Sequence, residues 1–388
     1  MKLAISTALY LHVKQVNQID FTEIPKILIK NVEIVFPVHA NSYVIKTLKE
    51  LNLNIFSGHA DFMGVDISSL DSSIRQKSLD VIKKRILLLS SIGAEILVVH
   101  PGNFCKGSNE KYKKINFSIE SLAEIASFAE SQNIKIAVEN MPNKYVAENP
   151  EELLYIVNEV RKARKLRNKN TIGICFDSGH AFLTNCINDY LQKYLGYIIT
   201  MHIHDNMGDS IRNKATKPSE IDKLGKTNKL DKVYNLGKIE KLNENDKLND
   251  NLNKTDKLEY AKNKLYDSED WDEHYKDAPD DKHLVPGKGL INWPEMLAIL
   301  NRKLKNNFKS NYEYKSYYEY EGYCEYKGNY EGWFTFEVIP DEKLNNYSEL
   351  LSEINNFIKE HNLDNNDIDN LDIFGNFGNF GNLDNFRN

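Results

Sequence analysis

Residues 172–182 read IGICFDSGHAF. Ile172–Phe176 is short, apolar and partly β-branched, as a buried strand should be. Asp177 closes it, and His180 follows at the start of the next helical stretch. Strand, carboxylate and imidazole therefore arrive together. The ending recurs along the chain, at Ile55–His59 (IFSGH), Ile96–His100 (ILVVH), Ile134–Glu139 (IKIAVE) and Ile198–His202 (IITMH), the last with His204–Asp205 behind it. Asp281–His283 (DKH) and Trp333–Glu337 (WFTFE) complete the series. One such ending carries little weight. A series of them describes a ring of strands delivering carboxylates and imidazoles to one face.

The segments between them have helical spacing. Expected strands are Leu3–Ser6, Val32–Phe36, Leu53–Ser57, Glu95–Val99, Ile134–Val138, Ile172–Phe176, Tyr197–Met201 and Trp333–Phe336. Expected helices include Ser73–Ile92, Phe117–Gln132 and Glu151–Arg167, the last opening after Pro150. Strands alternating with helices imply parallel strands joined by right-handed crossovers. An open doubly wound sheet would gather its site at one switch point. Functional side chains here follow at least six strands, so the expected fold is α/β, a (β/α)8 TIM barrel.

Three segments break the rhythm. Residues 212–280 are dominated by Lys, Asn, Asp and Leu and read as a low-complexity insertion after the seventh strand, expected to be disordered. Tyr312–Tyr330 is a tyrosine- and glutamate-rich run placed before the eighth strand. Residues 361–388, with their repeated Gly-Asn-Phe, read as a disordered tail. One barrel domain is thus expected over residues 1–211 and 281–360.

Composition narrows the class. The formal net charge is -6 and the hydrophobic fraction 41%, enough for a large core and without the basic excess of a nucleic-acid-coating protein. The four cysteines (Cys105, Cys175, Cys186, Cys324) form no C-x-x-C pair and read as reduced thiols. No apolar run is long enough to span a membrane. The N-terminal MKLAISTALYLHV reads as a first strand rather than a leader. A soluble, cytoplasmic protein with no membrane partner is expected.

A carboxylate ending an apolar strand must be ligated, paired or hydrogen-bonded. Glu139, Asp177 and Glu337 all stand in that context, and His202 and His204, two apart on one strand, should share a face. Carboxylates with imidazoles suit Mn²⁺, Zn²⁺ or Co²⁺. His12 and His39 follow the first two strands and read as loop residues. Gly287-Lys288-Gly289 has the outline of a phosphate-cradling turn but is equally an ordinary one. Trp293-Pro294 marks the start of a helix.

The motifs SGHADF (57–62), HPGN (100–103), VEN (138–140), GICFDSGHAF (173–182), MHIHDN (201–206), DKHLVPGKGLINW (281–293) and FEV (336–338) resemble the xylose-isomerase-like barrel superfamily. That superfamily groups sugar and sugar-phosphate isomerases and epimerases with endonuclease IV. The isomerase resemblance implies one divalent metal on Glu139, Asp177, His202 and Glu337. Glu139 and Glu337 would act as catalytic proton-transfer residues through an enediolate, on a small-molecule sugar substrate. His180 would contact a substrate hydroxyl, and His100 and His283 would line the pocket. The endonuclease resemblance implies more. His59, His100, Glu139, Asp177, His180, His202, Asp281, His283 and Glu337 would hold three zinc ions and cut DNA at abasic sites. Three departures separate the chain from that nuclease: Asn-Met-Pro-Asn-Lys after Glu139, Ala-Asp-Phe after His59, and His204 in place of an asparagine. On those departures the isomerase or epimerase is the first expectation and the abasic-site endonuclease the alternative.

Overall fold

The structure, a computed structural model, describes residues 2–11, 13, 18–36, 39, 41–163, 166–208, 281–305, 332–340 and 347–363. The expected insertion, the tyrosine run, most of the expected tail and His12 lie outside the described residues.

Eight parallel strands close into a barrel in chain order. They are β1 (Lys2–Ser6), β2 (Asn31–Val35), β3 (Asn54–His59), β4 (Ile96–Val99), β5 (Lys135–Glu139), β6 (Ile172–Asp177), β7 (Ile198–Ile203) and β8 (Trp333–Phe336). Pairing of β8 with β1, from Lys2 opposite Trp333 to Ile5 opposite Phe336, completes the ring. Around it run α1 (Ser42–Glu50), α2 (Ser72–Ile92), α3 (Ser108–Ser131), α4 (Pro150–Lys162), α5 (Ser178–Leu183), α6 (Ile187–Lys193), α7 (Trp293–Lys305) and α8 (Tyr347–Glu360). Between β1 and β2 the described residues form two 3-10 turns, Thr7–Tyr10 and Phe21–Lys26. None of the described helices is long and apolar enough to cross a membrane.

Local chemistry sets the helix ends. Asp71 caps α2, accepting from Ser73 N at 2.7 Å, and Gly93 ends it with φ +82°. Asn149 caps α4, with Pro150 in the first turn. Three boundaries differ from expectation. Helix α3 begins at Ser108, nine residues before the expected Phe117, because its polar first turns hide their inward face. Lys114 lies in that face, buried, with Nζ donating to Phe104 O at 2.7 Å. Helix α4 stops at Lys162, where Ala163 turns to ψ 131°. The expected tail starts too early as well, since Leu363 is buried beyond α8.

Two apolar bodies hold the barrel. One lies between strands and helices, with Ile82, Ile86, Leu89, Leu122, Ile156 and Ile354 among its members. The other plugs the interior with Ala4, Phe56, Ile96, Val98, Ala137, Cys175 and Trp333. Phe56 and Trp333 stack there at 3.9 Å between ring centroids. Each fully buried side chain of this kind contributes about 1.5–3 kcal/mol. Above the plug, at the C-terminal ends of the strands, the lining changes abruptly to carboxylates and imidazoles.

Candidate metal centre

Strand ends deliver the polar layer, as a parallel barrel requires. His59 is the last residue of β3, Glu139 of β5 and Asp177 of β6; His202 is the penultimate residue of β7. His100 and Glu337 each stand one residue past a strand. His180 lies in the first turn of α5, whose cap is Asp177 itself: Asp177 Oδ1 accepts from His180 N at 2.7 Å. Asp281 and His283 reach the layer from the segment joined to Asp205 by a short antiparallel bridge at Leu284.

All nine residues named in the sequence come together in three groups, two of which share Glu139. His59, His100 and Glu139 form one; Glu139, Asp177, His202 and Glu337 form the second; His180, Asp281 and His283 form the third together with His204. Within each group, ligand-capable atoms lie within 4.8 Å of one another. Glu139 is the joint: Oε2 faces His59 Nε2 at 3.2 Å and His100 Nε2 at 3.4 Å, while Oε1 faces His202 Nδ1 at 3.4 Å and His180 Nδ1 at 3.5 Å. Asp281 Oδ2 lies 2.8 Å from His180 Nε2 and 2.9 Å from His283 Nε2.

The ring nitrogens facing away from the groups have fixed partners. Nδ1–H of His59 donates to Ala60 O at 2.8 Å, that of His180 to Asn140 O at 2.9 Å, and that of His283 to Glu337 O at 3.2 Å. Each bond fixes Nδ1 as a donor and aims Nε2 at the carboxylates, so that Nε2 is the atom left to ligate once its proton is displaced, the arrangement in which metal-binding histidines are held. Asn140 adds a second brace: its side chain accepts from Asp177 N at 2.7 Å and donates to Asp177 O at 3.0 Å. Arg85 of α2 pairs with buried Asp61 through two bonds of 2.7 and 2.8 Å, tying down the loop after His59.

Burial makes this layer expensive without a counter-charge. It opposes ionisation of Glu337, yet the neighbouring His202 and His283 hold that carboxyl down at about 2. It opposes charging of His59, but Glu139 overcomes that and pushes the ring up to about 9. His283, against Asp281, likewise rises to about 9. His100 goes the other way, lowered by burial that Glu139 only partly offsets. Without metal, the carboxylates are neutralised by protons on the rings. A divalent ion of the kind that takes imidazole and carboxylate ligands would replace those protons, so the donor set fits such ions.

His204, expected to share a face with His202, has partners of its own. It lies one residue past β7, outside the strand's alternation. Its Nε2 sits 3.0 Å from both oxygens of Asp177, and its ring stacks on His283 at 3.9 Å and 11°. His204 therefore braces Asp177 and His283, while its ligand-capable nitrogen also lies within the third donor group. The stacking requires Gly179, because a Cβ there would lie 2.0 Å from His204 Cε1. His39 stays apart: it is buried, 3.1 Å from Thr7 Oγ1, and burial lowers its ring to about 4. The Gly287–Gly289 turn is not a phosphate cradle. Gly287 N donates to Asp205 Oδ2 at 2.8 Å, and Ile291 N and Trp293 Nε1 also donate to Asp205. Sequence reasoning passed over Glu33, which is buried on β2 with Oε1 3.1 Å from His202 Nε2. A lone carboxylate inside the apolar run NVEIV was the available signal.

Residues 39–318 match a model of the xylose isomerase-like TIM barrel family. The chain belongs to that family. Among curated proteins it is 28% identical over 214 residues to an uncharacterised protein of Methanocaldococcus jannaschii, covering 54% of this chain and 79% of that protein. It is 24% identical over 173 residues to a probable endonuclease 4 of Acholeplasma laidlawii, covering 42% of this chain and 56% of that one. The match thus spans about half the length of that second relative. Among solved structures, a D-tagatose 3-epimerase-like protein superposes with a TM-score of 0.56 at 22% identity, over 93% of this chain and 99% of that one. That likeness concerns the fold.

Proposed function

We propose that the protein is a metal-dependent phosphodiester hydrolase that uses three divalent ions, with zinc the first candidate. The observation that carries this reading is the convergence of all nine donors into three groups, two of them joined at Glu139. Histidines that would otherwise line a sugar pocket are instead fixed by backbone carbonyls with Nε2 directed at carboxylates. Charge points the same way. Glu33, Glu139, Asp177, Asp281 and Glu337 bring five negative charges into the layer. Three divalent ions in place of the ring protons would leave one positive charge over these five, the complement of a single phosphodiester.

Divalent ions in such a site polarise phosphoryl oxygens and lower the pKa of water. The chain's own residues provide the rest. Glu139 and Asp281 keep donor groups at fixed separation. The histidine tautomers fix the direction of each Nε2. His100, Asp281 and His283, at 23%, 18% and 15% side-chain exposure against 1% for Glu139, form the open edge at which a substrate enters. Glu337, on the inner side of that edge, is our assignment for the carboxylate that accepts a proton from the attacking water. Abasic-site DNA is the first substrate to test, since a relative is named a probable endonuclease 4. The stretches after His59 and Glu139 depart from the endonuclease IV pattern, so a small phosphodiester is tested beside it.

A second reading rests on the inner group alone. Glu139 and Glu337 both face His202 Nδ1, at 3.4 and 2.9 Å, and could exchange a proton across a sugar carbon over one metal. The two readings separate on purified protein. The first expects about three tightly held ions, incision of an abasic duplex or hydrolysis of bis(p-nitrophenyl) phosphate, and loss of turnover in Glu337→Gln with the fold intact. One ion, together with proton–deuterium exchange on ketoses and no hydrolysis, would replace it with the second. The cytoplasmic location and the single barrel domain interrupted at residues 212–280 are carried as parts of the same proposal.

A further inference from the structure

We infer that Glu33 is a positioning residue for His202, selecting the ring nitrogen that His202 offers to the inner metal. This rests on the metal-binding reading of Glu139, Asp177, His202 and Glu337, which both functional readings share.

His202 is built differently from its neighbours. His59, His180 and His283 donate Nδ1–H to a backbone carbonyl and turn Nε2 inward. In His202 the inward atom is Nδ1, 2.9 Å from Glu337 Oε2 and 3.4 Å from Glu139 Oε1. The outward atom, Nε2, meets no carbonyl. It lies 3.1 Å from Glu33 Oε1 without forming a hydrogen bond, and neither atom has a hydrogen-bond partner. Both residues are fully buried. Two polar atoms this close without partners, away from water, are satisfied by a small turn of the ring that lets an N–H at Nε2 donate to the carboxylate.

Glu33 is itself held for the task. Ser57 Oγ donates to its other oxygen at 2.7 Å. The pairing of β2 with β3 shifts register between Val32 and Glu33, so that Glu33 stands opposite Ser57. A carboxylate behind an imidazole fixes the tautomer and makes the opposite nitrogen a stronger donor. A carbonyl fixes the tautomer with less effect on basicity. His202, the sole imidazole of the inner group, is thus the one given an anion.

The test is a metal titration of the full-length protein with zinc and with cobalt, wild type beside Glu33→Gln. Long-range ¹⁵N spectra of the His202 ring are recorded on the same samples. Glu33→Gln is expected to weaken one ion about 10- to 100-fold, leave the others unchanged, alter the visible spectrum of the cobalt form and shift the His202 tautomer. Ser57→Ala, which loosens Glu33 without removing it, should give a smaller loss at the same ion, and serves if Glu33→Gln does not fold. Unchanged binding and tautomer, or equal weakening of every ion, would overturn the inference. A wild-type protein that holds no ion would instead remove the metal reading on which it stands.

Discussion

Glu139→Gln is the most informative substitution, because one carboxylate serves two donor groups through separate oxygens. The change keeps shape and removes charge. In the metal-free protein its effect can be sized from His59, whose ring is lifted against burial from 6.5 to about 9, chiefly by Glu139 with Glu337 adding to it. At about 1.4 kcal/mol per unit, that lift is worth about 3 kcal/mol. The folded-state value is raised, so the stabilisation is complete below pH 6.5, fades as pH climbs, and is gone above pH 9. The metal-free variant should therefore melt roughly 6–12 °C below wild type at pH 6 and close to it at pH 10. With metal, removing one partner from a buried charged set costs about 3–5 kcal/mol, roughly two to three orders of magnitude in affinity. That loss should fall on the two ions adjoining Glu139, while the ion at His180, Asp281 and His283 stays. Scanning calorimetry at the two pH values and a zinc titration read both effects. An equal melting shift at pH 6 and pH 10, or loss of all three ions together, would refute the reasoning.

Two further outcomes follow from the same geometry. Metal affinity should rise with pH from 6 to 9, because His59 and His283 must release protons held up to about 9 before they can ligate; a competition titration showing no pH dependence would contradict this. Gly179→Ala should displace His204, whose Cε1 the new Cβ would approach to 2.0 Å, costing about 1–3 kcal/mol of stability. It should also weaken the ion next to His283, and a variant with unchanged melting and unchanged metal binding would show that the stacked ring has no supporting role.

Periodicity located the strands but not their full extent. Strands β3 and β7 run to His59 and Ile203, two residues past their expected ends, because a polar residue that closes a strand looks like loop until its partners are known. Helix α3 was shortened in the reading because Lys114 faces inward, anchored by a carbonyl no pattern reveals. His204 and Glu33 escaped for a related reason: their roles depend on which neighbour's ring or carboxylate stands within 3 to 4 Å.

The repeated strand-end carboxylates and imidazoles were enough to determine an α/β barrel with a metal-capable face, and the family resemblance singled out the nine residues that meet there. That information is local, because each donor follows its own apolar run. How the donors divide is not local. That Glu139 joins two groups, that His204 braces Asp177 and His283, and that His202 turns its ring opposite to its neighbours were decided only when barrel closure brought residues of different strands close together.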